Sequence, residues 1–94
     1  MLIVGDYLSD VEIPWIHGSL ADYRATLARL APLVEQAETV VPGHGSPHDR
    51  DTTLRLLEED VEYLDRLERG EDALPAGRDT KAQREIHAEN EAAP

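Results

Sequence analysis

Two short apolar stretches, each followed by a glycine-containing turn, decide the fold: Met1-Leu2-Ile3-Val4-Gly5-Asp6 and Glu38-Thr39-Val40-Val41-Pro42-Gly43-His44-Gly45. Their aliphatic and β-branched residues predict strands over 1–4 and 38–42. The first stretch is apolar without alternation, which is typical of a strand that is covered on both faces.

The segment between the two strands contains an amphipathic helix. Ser19 is the expected N-cap, with Asp22 three residues later in an acidic variant of the capping box. Pro32 should end the helix near Leu30, or kink it and leave a further turn over 32–36. A helical crossover places the two strands side by side and parallel. The apolar face of this helix consists of Leu20, Tyr23, Leu27, Leu30 and Val34.

A second helix follows, with Asp51 or Thr52 as its expected N-cap and Gly70 as its expected C-terminal stop. Residues 1–70 then form the folded part, and residues 71–94 form a polar, acidic linker and tail, as a frayed helix or without order. Trp15 could line a pocket, but an aromatic residue in an irregular segment is more often an anchor, so it is expected to hold the loop over 7–18 to the core. His87 is expected to be solvated. The apolar face of the second helix consists of Leu54, Leu57, Val61, Leu64 and Leu67.

Composition excludes several classes of protein. The 94 residues include 20 acidic and 9 basic ones, a net charge of −11, which opposes binding to nucleic acid or to anionic membranes. The chain has no cysteine, so a disulfide framework, a thiolate zinc site and a cysteine nucleophile are excluded. No apolar run approaches the ~20 residues of a membrane span, and no signal peptide is readable. We therefore expect a cytoplasmic protein.

Asp6 and His44 stand out because each follows a predicted strand and is flanked by glycine. Ligands of open α/β sheets bind at the carboxyl ends of the strands, so both side chains are expected at one edge of the sheet. A carboxylate and an imidazole are ordinary ligands of zinc, manganese and iron. Taken singly, each residue is also compatible with a turn or an exposed loop.

The combination of Ile3-Val4-Gly5-Asp6, a helix, and Val40-Val41-Pro42-Gly43-His44-Gly45 resembles the C-terminal half of the metallo-β-lactamase superfamily. The resemblance covers roughly residues 1–70. It implies an α/β fold, the C-terminal portion of an αββα sandwich in strand-helix-strand-helix order plus a polar tail. It also implies a hydrolase with a two-metal zinc site and a small-molecule ester-type substrate. Carried over by position, Asp6 would bridge the two metals and His44 would be a terminal ligand.

The sequence also departs from that family. It lacks the His-x-His-x-Asp-His motif and the histidine that normally lies between this motif and the Gly-Asp turn. Because a catalytic zinc usually has three protein ligands and a water, we expect negligible hydrolysis by this chain alone and assign no catalytic residue. The resemblance thus implies an incomplete C-terminal piece of such an enzyme, whether a truncated fragment, a chain that begins at an internal methionine of a longer reading frame, or the product of a split gene.

Four further polar residues lie near the two candidate ligands. His48 and Asp49 follow the Gly-His-Gly turn, where they would orient His44 or simply be loop residues. Asp10 and Glu12 follow Asp6, where they would shape a substrate pocket or belong to a solvated loop.

Two other interpretations remain open. In the first, the chain is a small non-catalytic interaction module, and its leucine-rich second helix binds a partner or a second copy. Alternatively, it is one half of a split enzyme, completed by a separate N-terminal lobe. The bare edge of the first strand favours such pairing, and it also favours homo-oligomers.

Overall fold

The computed structural model describes residues 2–5, 7–43 and 45–92. The elements are, in chain order, β1 (Leu2–Gly5), α1 (Leu20–Gln36), β2 (Thr39–Pro42), β3 (His48–Asp49), α2 (Arg50–Glu68) and α3 (Lys81–Glu91). They form a small α/β domain with a mixed sheet in the order β1-β2-β3. β2 is parallel to β1 and antiparallel to β3. The predicted parallel pair is confirmed, whereas the two-residue β3 was not predicted.

The sheet is covered on one face. Val40 is fully buried and Val4 is 8% exposed, and both belong to the core that the helices build. Ile3, which pairs in register with Val41, points to the opposite face because side chains alternate along a strand. It is 68% exposed. The expectation that the first strand is covered on both faces is therefore wrong for this chain.

Helix α1 begins as predicted, and of the two predicted endings it has the one with a further turn after Pro32. The hydroxyl of Ser19 accepts a hydrogen bond of 3.1 Å from the Asp22 amide, which confirms the N-cap. The helix continues through Pro32 to Gln36 instead of ending near Leu30. Proline removes one intrahelical hydrogen bond. Val34, which lies beyond it, is fully buried in the core, and this burial holds the last turn in place.

Helix α2 begins earlier than predicted, at Arg50. Asp49, and not Asp51 or Thr52, is its N-cap, since a carboxylate oxygen of Asp49 accepts a hydrogen bond of 2.8 Å from the Thr52 amide. The end at Gly70 is confirmed. Gly70 has a φ of 75°, its amide bonds to the carbonyl of Leu67, and the next amide bonds to that of Arg66. This pair of bonds is a Schellman motif.

The buried surface of α2 differs from the predicted leucine face. Of that face, Leu64 is fully buried, while Val61 is 38% exposed. The reason is that α2 contacts α1 on one side and the C-terminal segment on the other, so a polar stripe is covered as well. The buried residues of α2 are Thr53, Leu56, Asp60, Tyr63 and Leu64.

The polar C-terminal segment contains α3 and packs against the loop over 7–18. The side-chain oxygen of Gln83 accepts a hydrogen bond of 2.7 Å from the Ile13 amide. Asn90 accepts from the Ile16 amide at 2.9 Å and donates to the Pro14 carbonyl at 2.6 Å. Amide side chains of α3 therefore satisfy the backbone of a loop that has no regular structure.

Two expectations about side-chain exposure are corrected. His87, expected to be solvated, is 4% exposed, because α3 places it against α2. Trp15, expected to anchor its loop to the core, is 43% exposed, and Leu8, Ile13 and Ile16 are buried there instead.

Within the described part of the chain, no helix combines the length and the apolar character needed to cross a membrane.

The C-terminal end of α2 can be tested by substituting Gly70, with Gly18, which precedes α1, as the control. A Cβ at Gly70 would meet no atom within 4 Å, so Gly70→Ala should cost about 1 kcal/mol of unfolding free energy through the left-handed backbone alone. At Gly18 the φ is ordinary and a Cβ would make a normal contact with Asp22, so Gly18→Ala should be neutral or slightly stabilising. Urea denaturation measures both, and equal losses in the two variants would contradict this assignment.

Candidate functional site

The carboxyl ends of β1 and β2 lie side by side. Gly5 pairs with Pro42 after an irregularity in the ladder that follows Ile3, and the Gly43 amide donates a hydrogen bond to the Gly5 carbonyl. The predicted metal ligands Asp6 and His44, which follow Gly5 and Gly43 in sequence, lie outside the described residues. What the structure establishes is that the two positions directly before them are hydrogen-bonded neighbours.

Asp10 connects the loop after β1 to the loop after β2. One of its carboxylate oxygens accepts a hydrogen bond of 2.9 Å from the Ser46 amide. The same oxygen occupies the space that a Cβ of Gly45 would need, and Gly45 has a φ of 102°. The positive φ therefore favours glycine after His44, and a Cβ there would displace the Asp10 carboxylate from the Ser46 amide. Asp10, predicted to shape a pocket, holds the two loops together.

His48 and Leu8 form a second connection beneath these loops. The His48 ring is buried, and its Nε2 lies 3.1 Å from the Leu8 carbonyl oxygen. Because a carbonyl can only accept, the Nε2–H group of His48 is the donor of this hydrogen bond. The same nitrogen lies 3.9 Å from a carboxylate oxygen of Asp10.

Leu8 is in the left-handed backbone region, with a φ of 59°, which costs a leucine about 1–2 kcal/mol. Its side chain is 1% exposed, and its carbonyl accepts the His48 hydrogen bond. This burial and this bond hold the strained residue in place. Such strain is characteristic of loops whose conformation matters for function.

The other two residues predicted near the site have contacts that stabilise local structure. Asp49 caps α2, and the Thr52 amide lowers the pKa of its carboxyl group. The backbone of Glu12 donates to the Ser9 hydroxyl and accepts from Arg78. A role of Asp49 or Glu12 in a pocket stays a prediction.

The loop over 7–18 is held by the buried guanidinium of Arg78, a residue that no sequence pattern marks as important. Arg78 is 1% exposed and donates to the backbone carbonyls of Ser9 and Glu12 at 3.2 and 3.0 Å. It also forms ion pairs with Asp60 at 2.6 Å and Glu59 at 3.2 Å. An isolated arginine in a Pro/Gly-containing segment has no periodicity that marks it as buried.

The carboxyl group of Asp60 titrates abnormally. Its burial raises the pKa from 3.8 to about 6, because loss of solvation outweighs the attraction of the Arg78 guanidinium. The folded state therefore holds a proton at this position over a range of pH where the unfolded chain has lost it.

Tyr63 joins α2 to α3. Its hydroxyl oxygen lies 2.7 Å from Nδ1 of His87 and accepts a hydrogen bond of 3.1 Å from Asn90. Burial raises the pKa of this phenol to about 12. Nε2 of His87 lies 3.1 Å from a carboxylate oxygen of Asp72 and 3.8 Å from one of Glu91, and it has no hydrogen-bond partner among the described residues. Tyr63 is 2% exposed, so this cluster lies in the interior and connects the two helices.

Within residues 2–5, 7–43 and 45–92, no group of three or more histidine, aspartate or glutamate side chains is arranged to hold a metal ion. The zinc prediction concerns Asp6 and His44, which those ranges omit, so it stays a prediction.

No protein-family model, curated protein or solved structure matches this chain. The function therefore has to be argued from its own residues.

The titration of Asp60 predicts how stability depends on pH. Because the pKa is raised in the folded state, the contribution of Asp60 is greatest below pH 4 and is lost as the pH rises through about 6. The stability of the wild type relative to Asp60→Asn should thus fall between about pH 3.5 and 6.5, by at most about 3 kcal/mol, and level off above that. Urea denaturation across this range measures the difference.

Asp65→Asn is the matched control, since Asp65 also lies on α2 and pairs with an arginine, Arg24, but is 47% exposed in its side chain. Its stability relative to the wild type should change little over the same range. If the difference in unfolding free energy between the wild type and Asp60→Asn were also independent of pH, the Asp60 carboxyl group would titrate normally.

Proposed function

We propose that this chain contributes part of a metal-dependent hydrolase site of the metallo-β-lactamase type, with Asp6 and His44 as metal ligands. The observation that supports the proposal is the parallel pairing of β1 and β2, together with the hydrogen bond between Gly43 and Gly5. In α/β sheets such adjacent carboxyl ends are where ligands bind.

The donor set suits zinc, which takes carboxylate oxygen and imidazole nitrogen. When bound, the metal would lower the pKa of a water molecule and supply hydroxide near neutral pH. Asp6 and His44 would bind and orient it. The contacts of Asp10 with Ser46 and of His48 with Leu8 would fix the loops on either side, as a site held in one geometry requires.

Two ligands leave a catalytic zinc site incomplete. In this proposal the remaining ligands, and part of the pocket for an ester-type substrate, come from a complementing N-terminal lobe. The isolated chain then has negligible activity. The exposed face of the sheet around Ile3 supports this interpretation, because an aliphatic side chain that is 68% exposed on a strand is suited to burial under a second layer.

The interaction-module alternative receives less support. It relies on the leucine face of α2, but this face packs largely against α1 within the chain. Leu57 and Val61 line a shallow groove with Leu27 and Ala28 of α1. Leu64 is fully buried, and Leu54, Leu57 and Leu67 pack partly against the core, so most of the face is used within the fold, while Val61 and the groove stay accessible.

Native mass spectrometry of the chain with added zinc tests the metal site. The wild type should bind zinc weakly, and Asp6→Asn and His44→Gln should each reduce the affinity at least about tenfold, because each removes a ligand.

Asp51→Asn and His17→Gln are the matched controls, since both residues are exposed, and their zinc affinity should equal that of the wild type. A wild-type chain that binds no zinc, or equal affinities in all five proteins, would refute the proposed ligands.

The open sheet face is tested through Ile3. At high protein concentration the wild type should self-associate through this face, and Ile3→Lys should be monomeric because a charge there opposes burial. Leu33→Lys is the control, since Leu33 is 49% exposed on α1 and the substitution adds the same charge. Sedimentation velocity measures association. If Leu33→Lys dissociates the protein as well as Ile3→Lys does, association does not use the sheet face.

A further inference from the structure

A small aromatic pocket lies between the loop over 7–18 and the first turns of α1. Its volume is about 120 Å³. The residues that line it are Tyr7, Trp15, His17, Gly18, Ser19, Asp22, Tyr23 and Thr26.

The pocket is bounded by two pairs of rings. Tyr7 and Tyr23 contact each other with ring centroids 5.1 Å apart, and Trp15 and His17 do so at 4.7 Å. Trp15 is 43% exposed although it is the largest apolar side chain of its loop, so it forms an accessible wall. Two of the three tyrosines and the single tryptophan of the chain meet at this place.

The electrostatics of the pocket favour a cation. The faces of tyrosine and tryptophan rings carry partial negative charge and attract cations within about 6 Å. Asp22, exposed in the first turn of α1, adds a carboxylate and offsets the partial positive charge of the helix N-terminus. The net charge of −11 further raises the local concentration of cations.

The size of the pocket limits the ligand to a small group. A cavity of about 150 Å³ admits benzene, whereas pockets for drug-sized ligands begin at about 300 Å³. A pocket of about 120 Å³ therefore fits a compact head group whose remainder extends into solvent.

We propose that Tyr7, Trp15, Tyr23 and Asp22 form a binding site for a methylated ammonium group. Aromatic cages with a nearby carboxylate recognise such groups because a weakly hydrated cation loses little on leaving water and gains ring contacts on several sides. Choline-like small molecules and methylated lysine side chains share this chemistry.

Titration with tetramethylammonium chloride tests the site, with the fluorescence of Trp15 as readout, since it is the only tryptophan. Saturable binding with a Kd in the millimolar range is expected. tert-Butanol, which is similar in shape but uncharged, should bind about tenfold more weakly if the cation is what the rings recognise. Equal responses to the two compounds, or no saturable response to the cation, would overturn the proposal.

Substitutions locate the binding. Asp22→Asn and Tyr7→Leu should each weaken tetramethylammonium binding by about threefold to tenfold, with circular dichroism confirming that the fold is kept. Asp51→Asn is the matched control, because Asp51 is likewise exposed in the first turn of a helix, α2, but is not among the residues that line the pocket. A loss in Asp51→Asn as large as that in Asp22→Asn would show that only net charge matters, which overturns the site.

Two further titrations distinguish the sources of the ammonium group. Tighter binding of choline than of a short peptide containing trimethyllysine assigns a small-molecule ligand, and the reverse order assigns a modified protein. The same peptide with unmodified lysine should bind more weakly than its methylated form, since a compact ammonium is more strongly hydrated. Equal binding of the two peptides would contradict recognition of the methyl groups.

Discussion

The buried guanidinium of Arg78 is the interaction on which the arrangement of the other parts depends. Removing an arginine from water costs several kcal/mol unless its donors are paired. Here they are paired with two carboxylates of α2 and with two backbone carbonyls of the loop over 7–18. Satisfying one charge therefore fixes the positions of three segments at once. The loop beside the strand ends and beside the aromatic pocket obtains its shape from this contact.

The sequence predicts those elements that follow from apolar periodicity and local capping. The parallel strands, the Ser19 cap and the stop at Gly70 are of this kind, and all three are confirmed. It does not predict α3 packing, because Gln83 and Asn90 are buried through hydrogen bonds to a distant loop, which leave no hydrophobic pattern. The buried face of α2 differs from the predicted leucine face for a similar reason. Asp60 is buried in an ion pair with Arg78, and an ion pair leaves no hydrophobic pattern in the sequence.

The candidate site could be predicted only in part. Glycines after both strands indicate tight turns, and the structure gives a reason for Gly45 in its contact with Asp10. The connection of Asp10 to Ser46 spans 36 positions and has no local signal. The sequence leaves Trp15 open to lining a pocket or to anchoring its loop, but it does not predict the aromatic pocket as a whole, because Tyr7 and Trp15 lie in a loop without periodicity.

The hydrogen bonds between the loop and α3 join residues that are 70 and 74 positions apart in the chain. During synthesis on a ribosome, the amides of Ile13 and Ile16 leave the exit tunnel long before Gln83 and Asn90 are made. Until then water is the only hydrogen-bond partner of those amides, and β1 with its exposed Ile3 belongs to a domain that is not yet completely folded. Such long-range contacts also slow folding. The nascent chain is consequently most prone to aggregation in the interval before its last helix emerges.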